Sequence, residues 1–238
     1  MDIIPLAKYP ATNPYWQMDA SFMGNGPLLA DWNPDNDPHL IFYRPTIPLA
    51  SRSQAGPQNS PGWSAFYSFS TDAYPMLMTI GSNEASVPPH GDDNQRPRNY
   101  TYWHHTERFI AFGGYWKVGG IQVPSPGWIR AAHQNGVPIM GTIFFDEDNQ
   151  KMKTWILNAL SRPEVSVQLA GKLALLAREY GFDGYLINQE TTNHTGDHLT
   201  VNNVMATFIQ NIHKAGNDQR YPVRITWYQV FSDSFTPN

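Results

Sequence analysis

Residues 165–190, VSVQLAGKLALLAREYGFDGYLINQE, run from a helix through a stop to a strand without interruption. Val165–Tyr180 reads as helix, Gly181 as its terminator, and Asp183–Glu190 as an apolar strand. The same alternation extends in both directions. Upstream, Met152–Leu160 is helical and Val137–Phe145 is a strongly buried strand. Before them, Pro126–Asn135 is a helix with proline near its start and Asn135-Gly136 as its stop. Arg108–Gly113 and Tyr74–Ile80 are further strands. Downstream, Leu199–Ala215 is a helix closed by Gly216, and Pro222–Phe231 returns as a strand.

Apolar strands separated by helices predict a parallel sheet covered on both faces, either doubly wound or closed as a (β/α) barrel. No glycine-rich phosphate loop follows any strand, which disfavours the nucleotide-binding version. About five parallel strands are expected, at 75–80, 109–113, 137–144, 183–188 and 222–228. A closed barrel needs about eight. The expected fold class is therefore α/β, a TIM-type barrel that is incomplete in this chain.

Residues 1–70 form a different region. Pro5, Pro10, Pro14, Pro27, Pro34, Pro38, Pro45 and Pro48 interrupt any long helix or central strand. His39–Tyr43 reads as a short strand and Gly81–Tyr100 as a polar loop. The expected organisation is an irregular N-terminal segment over 1–70, packed on barrel strands carried by 71–238.

Composition narrows the function. The 238 residues include no cysteine, which excludes disulfides, thiolate nucleophiles and cysteine zinc sites. A net charge of -4 gives no footprint for nucleic acid. No apolar run is long enough to span a membrane, and the N-terminus lacks the features of a signal peptide. Aromatic residues make up 13% of the chain, many of them in loop-like sequence, where flat rings with polar edges suit sugars.

The richest motif is Tyr180–Thr191, YGFDGYLINQET. Alternation along the strand sends Asn188 and Glu190 to one side, about 7 Å apart. Both lie at the C-terminal end of an apolar strand, where barrel enzymes keep their reactive groups. An acid there can protonate a glycosidic oxygen while an amide holds a neighbouring group of the substrate. The same spacing also suits a turn-capping amide beside a solvated acid, and spacing alone does not separate the two readings.

The motif resembles that of the endo-β-N-acetylglucosaminidases of glycoside hydrolase family 85, in their bacterial branch. Pro124–Ile129 and Ala132–Pro138, leading into Gly141–Phe145, resemble the family's third strand and the helix before it. Ile47–Arg52 resembles its N-terminal Val-Pro-Leu-x-x-Arg stretch. The resemblance implies hydrolysis of the β-1,4 bond between the two core GlcNAc residues of N-linked glycans, with retention, no metal and no cofactor. It implies Glu190 as general acid and then base, and Asn188 as the group that orients the substrate acetamide. Tyr228, with Trp227, matches a Trp-Tyr-Asp-Ser stretch near the acetamide, although Gln229 and Val230 replace the Asp-Ser. Phe145 matches a groove aromatic, and Trp116 is expected to offer a sugar platform. Ile187 and nearby aromatics are expected around the acid. The expected partner is an N-glycan or glycoprotein, the expected location secreted or cell-surface. Three further barrel strands are expected beyond this chain.

Two other functions compete: a chitinase-type hydrolase of another GlcNAc polymer, and a non-catalytic carbohydrate-binding protein on a partial barrel. Chitinase-type enzymes usually carry Asp where Asn188 stands. Other signals are weaker. His194 and His198 span Gly196, and adjacent His104 and His105 face opposite ways on a strand, so neither pair suits a metal. Asp146-Glu147-Asp148 follows the third strand and reads as an ordinary acidic loop, ahead of the alternative that it supplies a second carboxylate near the site. Trp63, Trp103 and Trp155 are assigned to the core.

Overall fold

The computed structural model describes residues 14–20, 26–43, 47–50, 77–81, 100, 102–103, 106–113, 120–145, 150–191 and 198–229. Five strands lie side by side and parallel: β2 (Leu77–Gly81), β3 (Thr106–Ala111), β5 (Ile139–Phe145), β6 (Gly184–Gln189) and β7 (Arg224–Gln229). Two short strands, β1 (Tyr15–Trp16) and β4 (Ile121–Gln122), were not expected. They pair antiparallel with each other, and β4 pairs antiparallel with β5, so the sheet is mixed. Among the described residues β2 and β7 each pair on one edge only.

β4 enters where β3 and β5 part. The start of β5 bonds to β3 through Phe109↔Ile139 and Ile110↔Met140. Its end bonds to β4 through Gln122↔Thr142 and Ile121↔Ile143. Thr142 closes the fork: its buried hydroxyl donates to the Ala111 carbonyl at 2.9 Å and accepts from the Gly113 amide at 3.2 Å. A two-residue insertion of this kind leaves no alternating pattern long enough to read from sequence.

Among the described residues the α-helices are α1 (Leu40–Tyr43), α2 (Pro126–Gln134), α3 (Gln150–Trp155), α4 (Pro163–Tyr180) and α5 (His198–Asp218). α3 runs on into a π-helical turn, Ile156–Leu160. α4 begins two residues before its expected start, because Pro163 supplies a preset helical φ at the first position. It ends at Gly181 with φ 75°, a left-handed cap that favours glycine. His39–Tyr43 is corrected from strand to helix: the Asp37 side chain accepts from the His39 amide at 2.9 Å and starts a single turn.

Period-two alternation sorts the strand residues between two faces. Ile139, Ile143, Phe145, Tyr185 and Ile187 join Leu169, Leu173 and Leu176 of α4 and Phe208 of α5 in one large core. The opposite face carries a small cluster of its own: Ile110, Met140 and Leu186, with Phe112 against them. One face is therefore covered by helices and the other is lined by strand side chains, unlike a doubly wound sheet with helices on both faces. That second face is concave. Arg108 on β3 donates to the Thr226 hydroxyl on β7 at 2.9 Å. Three strand spacings, about 14 Å in a flat sheet, separate those strands, farther than the two side chains reach together.

The N-terminal segment is fastened to the helix layer by partly buried polar bonds. Asp37 accepts from the Tyr180 hydroxyl at 2.6 Å and from the Trp32 indole at 2.7 Å. The Tyr43 and Trp16 rings pack edge-on against Tyr180. Burial, then the neighbouring Asp37 charge, drives the Tyr180 phenol far above its ordinary range, so it stays a donor. Trp103 and Trp155 lie in the core as expected, and Trp63 lies outside the described residues.

Candidate active site

Parallel strands in register place Phe144, Asn188 and Tyr228 in one row across β5, β6 and β7. Neighbouring strands lie about 4.8 Å apart, so the three side chains leave the concave face side by side. Glu190 follows at the end of β6, where its amide donates to the Phe145 carbonyl at 2.8 Å. The Asn188 amide donates to the Glu190 carboxylate at 2.8 Å. Asn188 is buried at 3% exposure, whereas Glu190 is half-buried and Tyr228 is 49% exposed. An acid with one oxygen held by a buried amide keeps a fixed aim. The amide carries two N–H donors, and Glu190 engages one of them.

The row separates the expected site residues. Asn188, Glu190 and Tyr228 are brought together. Phe145 and Trp227 are not: each is one residue out of phase and turns to the helix side. Phe145 is 1% exposed, and Trp227 packs on the same core with its indole donating to Gln189 at 2.9 Å. Ile187, expected around the acid, is likewise on the helix side and fully buried. Phe144, one residue before Phe145, stands on the concave face beside Asn188. Trp116, His104, His105, Asp146–Asp148, His194 and Val230 lie outside the described residues, as do the side chains of His198 and Gln229. Among the described residues no group of three or more His, Asp or Glu is placed to hold a metal ion. No described helix is long and apolar enough to cross a membrane.

Beneath the row, at the opposite end of the strands, a second polar cluster fixes the frame. Asp183, just before β6, accepts from the Ile139 amide at 2.8 Å and from His133 Nε2 at 2.9 Å. His133 Nδ1 donates to the Ile47 carbonyl at 2.6 Å. Both ring nitrogens thus face acceptors, which calls for the doubly protonated imidazolium. Burial opposes that charge, but the Asp183 hydrogen bond and charge, with the Ile47 carbonyl, outweigh it and hold His133 above the usual histidine range. The Ala50 amide also donates to the His133 carbonyl at 3.0 Å, so the stretch Ile47–Ala50 is anchored to α2.

This geometry sits within a recognisable sequence family. The model of glycosyl hydrolase family 85 matches residues 82–237. The chain is 30% identical to the cytosolic endo-beta-N-acetylglucosaminidase of Gallus gallus over 101 residues, covering 42% of this chain and 13% of that protein. It is 29% identical to cytosolic endo-beta-N-acetylglucosaminidase 1 of Arabidopsis thaliana over 126 residues, covering 53% of this chain and 17% of the relative. The fold is similar to the glycoside hydrolase domain of Endo-D from Streptococcus pneumoniae R6, with TM-score 0.63 and 26% identity. That match covers 84% of this chain and 30% of the Endo-D chain. The chain thus spans less than a third of each of these proteins. With the family model matching well over half of its residues, across the strands that carry Phe144, Asn188, Glu190 and Tyr228, the chain belongs to glycosyl hydrolase family 85.

Proposed function

We propose that the protein containing this chain is an endo-β-N-acetylglucosaminidase that cleaves between the two core GlcNAc residues of N-linked glycans. One observation carries the reading: an amide and an acid, Asn188 and Glu190, bonded at 2.8 Å on the concave face of the sheet. The similar proteins named above bear the same activity in their names. In this reading Glu190 protonates the glycosidic oxygen as the substrate's acetamide oxygen attacks the anomeric carbon. The carbon–oxygen bond breaks and an oxazolinium forms. Glu190, now a carboxylate, removes a proton from water, which opens the ring with net retention. Asn188 holds the acetamide by accepting from its N–H through Oδ1, which favours the positive charge of the oxazolinium, and Tyr228 and Phe144 flank the sugar. An amide suits this role because it adds no negative charge beside the acid. Residues 71–238 would form the opening part of a (β/α) barrel, with 1–70 laid upon it. The curvature indicated by the Arg108–Thr226 bond supports that architecture.

The test is Glu190→Gln in the full-length protein, assayed on a glycopeptide carrying the GlcNAc-GlcNAc core. The amide keeps the shape and cannot deliver a proton, so turnover falls by about 10²–10⁴-fold while glycan binding persists. Near-normal cleavage by this variant would remove Glu190 from the reaction.

A further inference from the structure

Gln189 stands between the two site residues in sequence and faces away from both. It is 3% exposed, yet both ends of its amide are bonded. Its carbonyl oxygen accepts from the Trp227 indole at 2.9 Å, and its nitrogen donates to the Asn202 side chain on α5 at 3.2 Å. Most of the helix-facing side of β6 is apolar, so a doubly bonded amide there is a specific polar feature. We propose that Gln189 is the positioning residue of the site: it locks the last rung of β6 to β7 and to α5, and through the backbone fixes the direction of Asn188 and Glu190. This rests on the hydrolase reading above.

The argument is geometric. Residues 188–190 share two rigid peptide planes, so pinning the central side chain on one face sets its neighbours on the other. Gln189 pairs with Gln229 and Phe145 in the final register of the sheet, and Glu190 lies beyond it. The Glu190 amide in turn donates to the Phe145 carbonyl at 2.8 Å. Trp227 is thereby reassigned from sugar contact to anchor. It precedes Tyr228, so one indole bond serves both sides of the row.

The experiment compares Gln189→Met and Trp227→Phe in the full-length protein on the GlcNAc-GlcNAc core. The first keeps length and volume without the amide; the second keeps the ring packed near the core and drops one bond. The kcat falls about 10- to 100-fold while KM stays within about twofold, the pattern of a misaimed reactive group. In an Asn188→Ala background, Gln189→Met reduces the residual turnover by a smaller factor than in the unaltered protein, because only Glu190 is left to be aimed. A crystal structure of Gln189→Met shows the Asn188–Glu190 pair separated beyond hydrogen-bond distance. Unchanged kcat in both folded variants overturns the proposal, as does an equal loss with and without Asn188, the mark of general destabilisation. If the wild-type protein cleaves no N-glycan core, the hydrolase reading falls. The Asn188–Glu190 separation in the variant crystal then decides the positioning claim by itself.

Discussion

Asp183→Asn removes one charge from the buried cluster below the site while keeping the side chain's shape. The aspartate accepts from the Ile139 amide at 2.8 Å and from His133 at 2.9 Å, and His133 is 4% exposed. A hydrogen bond to a charged group contributes about 1.5–3 kcal/mol, and breaking a buried pair costs about 3–5 kcal/mol. Asparagine can still accept one of the two bonds, so the lower end applies, about 3 kcal/mol. In a domain of this size that lowers Tm by roughly 6–12 °C. The pH dependence is the sharper signature. His133 is held above its ordinary value in the folded protein. The stability that its charge contributes is therefore fully present below about pH 6.5 and is lost as pH rises through the folded value. Urea unfolding of both proteins, followed by tryptophan fluorescence from about pH 5.5 to about pH 9, should show their gap largest at the acid end and narrowing upward. A gap below about 1 kcal/mol, or one that does not change with pH, would refute a charged His133–Asp183 pair.

Other consequences follow from the alternation of the strands. Phe144→Ala should raise KM for the glycan about 3- to 10-fold with little change in Tm, whereas Phe145→Ala should destabilise by about 3–5 kcal/mol with KM unchanged. The reverse pattern, read by steady-state kinetics and thermal melts, would put the wrong phenylalanine in the site. Gly184→Ala would place a methyl carbon 1.9 Å from the Arg224 carbonyl oxygen, so β6 and β7 must part. A loss of about 1–3 kcal/mol is expected in urea titration, and a neutral result would show that the strands adjust freely.

The alternation of helices and strands was legible because long apolar runs end at strong stops: Gly181 halts α4 with φ 75°, and Asn135-Gly136 follows α2. The Asn188–Glu190 pairing was legible for the same reason, since period two needs only a strand. Phe145 and Trp227 rest on a resemblance and Ile187 on its place beside the acid; the phase of the strands, which sends all three to the helix side, comes from the sheet. The turn at Leu40–Tyr43 hid because its cause is a carboxylate at Asp37, outside the apolar run. The fork held by Thr142 and the imidazolium of His133 depend on partners dozens of residues away, Ala111 at one and Asp183 at the other. No local pattern encodes such partners. Gln189 is not legible in the sequence, because a polar residue between Asn188 and Glu190 reads as solvated until the sheet shows which side it faces.

The central claim is that the substrate's acetamide, held by Asn188, does the work of a nucleophile. Asn188→Ala in the full-length protein, supplied in parallel with a GlcNAc-GlcNAc glycopeptide and with a preformed sugar oxazoline plus an acceptor sugar, tests it directly. Ring formation needs the held acetamide, so hydrolysis should fall by about 10²-fold or more. The oxazoline bypasses that step, and Glu190 can still activate the acceptor, so transfer should persist at a rate near that of the unaltered protein. Equal loss on both donors would contradict the account.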